Sequence, residues 1–128
     1  HYAVYSFNGS GSQTNYLTEN PLRGNRSTLV SPPTSQPSGI SFSNISTSGL
    51  TVTYNAASGS PSGYLVLRRP AVPVSTVPIG GIVYQIGDDI GSAKVAYSGN
   101  NLTFLDNGLA PGTTYHYAIF AYNGAGST

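Results

Sequence analysis

The sequence predicts an all-β fold: a two-sheet β-sandwich preceded by a loose pair of strands. Three observations carry this. Apolar and polar residues alternate in one segment after another, and no stretch sustains a helical period. The strand-like runs are short, and Gly, Pro, Ser and Asn clusters separate them at close intervals. His1–Ser12, HYAVYSFNGSGS, recurs as His116–Ser127, HYAIFAYNGAGS, with seven of the twelve pairs identical. The other pairs are conservative (Val/Ile, Tyr/Phe, Ser/Ala, Phe/Tyr, Ser/Ala). The offset is 115 residues, from position 1 to position 116. That is the size of a small domain, not of a solenoid repeat.

The elements follow in chain order. Tyr2, Val4 and Ser6 alternate with Ala3, Tyr5 and Phe7 in a first strand. Asn8–Thr14 is a Gly/Ser turn, and Asn15–Thr18 (NYLT) is a short second strand. Glu19–Arg26 holds Pro21 and Gly24 and reads as loop. Ser31–Ser38, SPPTSQPS, is a linker whose prolines favour extended backbone. Ile40, Phe42 and Ile45 mark the next strand, and Leu50, Val52 and Tyr54 alternate with threonines in another. Ala56–Gly63 is a turn, and Tyr64–Arg69 (YLVLRR) is a strand. Pro70–Ile79, with three prolines, reads as an irregular edge. Strands over Ile82–Tyr84 and Lys94–Tyr97 bracket Gly87-Asp88-Asp89 as their turn. Leu102–Leu105 and Tyr115–Tyr122 are the last two strands.

Composition narrows the function classes. Charged residues make up 7% of the 128 positions, and the net charge is +1. No basic patch exists to neutralise phosphates, which argues against a nucleic-acid partner. There is no Cys, hence no disulfide and no thiolate chemistry. No apolar run approaches the roughly twenty residues that span a bilayer, so no membrane insertion is expected. No signal peptide is visible, and His1 is not a natural start.

Leu102–Gly124, LTFLDNGLAPGTTYHYAIFAYNG, resembles the fibronectin type III domain. Asp106, Leu109, Pro111, Gly112, Thr113 and Tyr115 carry the likeness, followed by alternating Tyr117, Ile119 and Ala121 and then Asn123-Gly124. The resemblance spans about residues 33 to 124 and implies a fibronectin type III-like (immunoglobulin-like) β-sandwich. It implies a tyrosine corner built from Leu109, Pro111, Gly112 and Tyr115. There the Tyr115 hydroxyl bonds upstream backbone, Leu109 caps the core and Pro111-Gly112 turns between sheets. Tyr54 stands where the family often has Trp. Tyr115, Tyr117, Ile119 and Ala121 should face inward, with His116, Ala118, Phe120 and Tyr122 opposite. Tyr2–Leu29 looks like the last two strands (F and G) and linker of a preceding copy. The pattern is similar to tandem modules of large secreted or surface proteins in Bacteroidetes-like bacteria.

Candidates for chemistry are sparse. His1 and His116 are equivalent in the repeat and read as outward strand residues, because no cluster of metal-ligating types accompanies them. Asp88-Asp89 lacks the spacing of a Ca²⁺ loop and reads as a solvated turn. No Gly-x-Ser-x-Gly elbow or paired carboxylates appear, so neither catalysis nor a cofactor is expected. Gly80-Gly81 is a kink. Arg68-Arg69 read as edge charges that discourage sheet-to-sheet pairing. Phe120 and Tyr122 with Tyr64 form a candidate sugar-stacking row, although Tyr more often fills a core. Asn8, Asn25, Asn44 and Asn101 each begin an Asn-x-Ser/Thr sequon.

Two segments are expected: residues 1–30 as the terminal strands and linker of a preceding repeat, or strands donated to a neighbouring chain, and residues 31–128 as a domain lacking its own last strand. Inter-repeat contacts are expected from Tyr2, Val4, Tyr5, Phe7, Tyr16 and Leu17 on one side. Tyr117, Ile119, Phe120 and Tyr122 supply the other. In an exchange between chains, residues 1–8 would take the slot beside Tyr115–Tyr122 or displace that strand. The expected role is a non-enzymatic structural or adhesive repeat at the cell surface or outside the cell. Its partners are neighbouring copies of the same module, in one chain or as a head-to-tail homopolymer, and surface glycans. The alternative is an accessory, carbohydrate-binding or spacer domain of a secreted hydrolase.

Overall fold

The computed structural model describes residues 1–124. A first unit is built from β1 (Tyr2–Val4), β2 (Phe7–Asn8), β3 (Asn15–Tyr16) and β4 (Leu22–Gly24). Strand β1 pairs with β4 and β2 with β3, both antiparallel. Together they make one interrupted hairpin, closed by a 3₁₀ turn over Gly11–Gln13. The single strand expected over Tyr2–Phe7 is therefore broken at Tyr5-Ser6. Glu19–Arg26 is not all loop: Leu22–Gly24 pairs with Tyr2–Val4, past Pro21. Proline closes off a strand start without costing ladder bonds, which is why punctuation hid this strand.

The second unit is the sandwich. One sheet runs in the order β10 (Thr103–Asn107), β6 (Gly49–Asn55), β5 (Ser38–Ser43). The other runs β11 (Tyr115–Tyr122), β7 (Gly63–Pro70), β9 (Ala93–Gly99), β8 (Asp89–Ile90). All pairs are antiparallel. The inner faces meet in a core of Val52, Tyr54, Tyr64, Val66, Phe104 and Ala121. Ile45 lies outside β5 and is exposed. The expected strand over Ile82–Tyr84 does not form; Asp89–Ile90 pairs with Ala93–Lys94 instead. The hairpin turn is thus Gly91-Ser92, not Gly87-Asp88-Asp89.

A second core lies on the outer face of the four-stranded sheet. Leu65, Leu67, Ile90, Ala93 and Val95 are buried there, under Val74 and Tyr84 from the segment between β7 and β8. Phe120 and Tyr122 flank it. Pro70–Ile79 is not merely an irregular edge, because this segment is the lid of that core.

Candidate functional site

The edge of β11 is where the sequence places the expected inter-repeat contacts. Among the described residues β11 pairs only with β7. Ala71 N–H donates to the Thr114 carbonyl at 2.8 Å. Antiparallel strands alternate their bonding direction, so Thr114, His116, Ala118, Phe120 and Tyr122 address β7. Tyr117, Ile119 and Ala121 turn N–H and C=O to the open side. The Ala121 N–H is held there by the Gln36 side-chain oxygen at 2.8 Å. Asn123 Nδ2 donates to the Ser31 carbonyl at 3.0 Å, so the linker is laced along the end of β11.

The N-terminal hairpin repeats this edge with a strand in place. The 115-residue offset equates Ala121 with Ser6 and Gly124 with Gly9. Leu17 N–H donates to the Ser6 carbonyl at 2.9 Å. The residue that bonds the return strand in the hairpin is therefore the counterpart of the one held by Gln36 in β11. Gly9 and Gly124 share a left-handed backbone, at φ +90° and +101°. A Cβ on Gly9 would collide with the Gln13 carbonyl oxygen, so the return of the chain demands glycine there.

The hairpin side chains have no core. Tyr2, Val4, Tyr5, Phe7, Tyr16 and Leu17 are all exposed, and Tyr2 is 72% exposed. Phe7 and Tyr16 touch each other, with ring centroids 5.6 Å apart. On β11, Tyr117 and Ile119 pack inward against the main core, whereas Phe120 and Tyr122 pack on the outer one. The structure does not bring the two groups of residues together, because among the described residues β1–β4 pair only with one another. The sugar-stacking row does not form: Tyr64 is buried on the inner face and the other two rings pack outside.

At the other end of β11, Tyr115 accepts a hydrogen bond from the Ala110 N–H at 2.9 Å, after the Pro111-Gly112 turn. Leu109 is buried and its N–H donates to the Ser48 carbonyl. The Tyr115 ring is only half-buried and lies under the Arg68 guanidinium, 5.5 Å from its carbon. Arg68 is not an edge charge. It shares the inner face with Tyr64 and Val66 and pairs with Asp106 across the two sheets. Tyr117 donates its hydroxyl to the other Asp106 oxygen at 2.8 Å. Burial pushes the Asp106 carboxyl above its ordinary range, while the Tyr117 hydroxyl and Arg68 pull against it. Arg69 faces outward. Asp88 accepts from the Gln85 N–H, and Asp89 pairs with Lys94 at 2.7 Å. Among the described residues no three His, Cys, Asp or Glu side chains converge as metal ligands. The expected absence of a strand after Tyr122 turns on residues 125–128, outside the described residues.

Burial raises the phenol pKa of Tyr54 and Tyr117 above the usual 10, helped by Tyr97 beside the first and Asp106 beside the second. A raised value stabilises the fold fully below the unfolded pKa, and that stability is lost as pH climbs past it. Unfolding free energy should therefore fall above pH 10. Tyr54→Phe combined with Tyr117→Phe should be less stable at pH 7, by about 1 kcal/mol per lost hydrogen bond. It should also show a shallower alkaline slope in denaturant titrations. An unchanged slope would mean that other groups drive alkaline unfolding.

This geometry defines a two-sheet antiparallel sandwich module. A family model of the fibronectin type III domain matches residues 35–128, and the chain belongs to that family. Fibronectin type III domains are generally non-catalytic modules, often found as structural repeats. Among solved structures the chain is similar to "Titin kinase and its flanking domains", at 14% identity and a TM-score of 0.49. The likeness covers 77% of this chain and 16% of that one. No curated protein matches the sequence.

Proposed function

We propose that the protein is a non-enzymatic structural module of a head-to-tail array, at the cell surface or outside the cell, with an adhesive or spacing role. Its neighbours in that array are modules of the same kind. The observation that carries this reading is the equivalence of β1–β2 with β11. The two match in sequence, in the direction of their backbone bonds and in the φ of Gly9 and Gly124. An isolated two-stranded hairpin is marginal in water, and the apolar side chains of this one need a sandwich to cover them. The low charge and the absence of Cys suit an extracellular polypeptide.

A permuted chain tests the phase. Residues 31–124 continued by residues 10–30 put the hairpin turn and return strand directly after β11. Each net backbone hydrogen bond is worth about 1 kcal/mol, so a few of them should stabilise the sandwich by about 3 kcal/mol. The comparison is with the same chain carrying residues 10–30 in shuffled order, measured by urea unfolding. Equal stability of the two chains would sink the array reading.

A further inference from the structure

We propose that residues 74–84 form a lid that lifts off the four-stranded sheet as a unit, swinging between Ala71 and Gly87, and bares an apolar trough while the sandwich stays folded. The inference is independent of the array reading. Both ends of the segment are pinned to the sheet. Ala71 N–H donates to the Thr114 carbonyl and Gly87 N–H to the Val95 carbonyl, each at 2.8 Å. Between these pins the segment bonds only to itself. Ile79 N–H donates to the Tyr84 hydroxyl, and Ile82 N–H donates to the Ile79 carbonyl. Among the described residues no hydrogen bond joins residues 74–84 to the strands below them.

The packing is lopsided too. Val74 and Tyr84 press on the cluster of Leu65, Leu67 and Val95. Val77 and Ile86, however, are both 66% exposed, and Ile79, Ile82 and Val83 are exposed as well. Closing removes only part of the lid's apolar surface from water, so burial holds it down weakly. Thr76 Oγ1 is buried without a hydrogen-bond partner, and lifting returns it to water. The pins are built as hinges. Ala71 and Gly87 both have a left-handed backbone, at φ +65° and +96°. For Ala71 that conformation is strained, and rotation toward negative φ relieves it. Local opening draws on segments of this kind, with few bonds to the rest of the fold.

The chain has no Cys, so introduced thiols report without background. Leu67 lies under the lid and Val66 between the sheets, and both are 0% exposed. In the full chain, Leu67→Cys should react with a thiol reagent at least about tenfold faster than its own global unfolding permits, at a rate insensitive to low urea. Val66→Cys should react only as fast as global unfolding, measured on the same protein, and should speed up with urea throughout. A second arm locks the lid. A Cβ on Gly91 would lie 3.6 Å from the Thr76 Cβ, within the span of a disulfide. In the double variant Thr76→Cys with Gly91→Cys, oxidation should slow hydrogen exchange at the Ile79 and Ile82 amides at least about tenfold relative to the reduced protein. The proposal is overturned if Leu67→Cys reacts no faster than global unfolding allows. It is equally overturned if the disulfide fails to form or leaves exchange unchanged, since residues 74–84 then do not close and open over the sheet as described.

Discussion

Replacing Asp106 by Ala should lower the unfolding free energy by about 3 kcal/mol, the scale seen when one partner is removed from a buried ion pair. In a domain of this size, a loss of that order drops the melting temperature by roughly 10–20 °C. Asp106 is 4% exposed and accepts from both Arg68 and Tyr117. Without it, Arg68 keeps a charged group on the inner face, beside the Tyr115 ring. Guanidinium does not shed its proton, so no neutral form relieves that cost. The reverse substitution, Arg68→Met, should be milder. Burial already raises the Asp106 carboxyl above its ordinary range, and a carboxyl, unlike a guanidinium, has a neutral form that relieves the loss of its partner. A triple variant, Arg68→Met with Asp106→Leu and Tyr117→Phe, should recover most of the stability, since apolar residues often replace buried ion pairs at little cost. Chemical denaturation of the four proteins checks the order. If Arg68→Met proves the more damaging single change, the account of which charge is trapped is wrong.

How much of this was legible in the sequence differs from strand to strand. Alternation located β6 and β11, Ile40 and Phe42 marked β5, and the run Tyr64–Arg69 marked β7. The Arg68–Asp106 pair was hidden because the two residues stand 38 positions apart, on facing sheets. Parity did hold a signal: Asp106 falls in step with Phe104, and Arg68 with Tyr64 and Val66, all on the inner face. An Arg at the end of a strand reads as an edge charge until the facing carboxylate is placed. Gln36 carried no signal, because nothing in a proline-rich linker marks which side chain will reach a neighbouring strand. Strand β4 was masked by Pro21 and Gly24, which punctuate equally well a loop and the ends of a short strand. The misplaced turn at Asp88-Asp89 has a similar cause. Ile82–Tyr84 has the composition of a strand, but its tyrosine is used as a lid.

That lid makes Leu67 a more costly position than a sandwich pattern implies. Tyr64–Leu67 is a continuous apolar run, the signature of a strand buried on both faces. Val66 points between the sheets and Leu67 points away from them, yet both are 0% exposed. Leu67 packs with Leu65, Ile90, Ala93 and Val95, under Val74 and Tyr84. The covering segment is held in place: Tyr84 accepts the Ile79 N–H at 3.1 Å, and Arg69 reaches the Pro73 carbonyl. Its Thr76 methyl lies 2.5 Å from where a Cβ on Gly91 would be, so the lid closes tightly over the β8–β9 turn. Leu67→Ala should therefore cost about 3 kcal/mol, as a large-to-small change in a closed core does. A leucine on a solvated outer face would lose only a few tenths. Replacing residues 74–84 by a Gly/Ser linker of equal length separates the two possibilities. With the lid gone, Leu67→Ala should become nearly neutral, while Val66→Ala stays as damaging as before. If truncating Leu67 is cheap with the native lid present, the outer core contributes little and this sheet is stabilised from one face only.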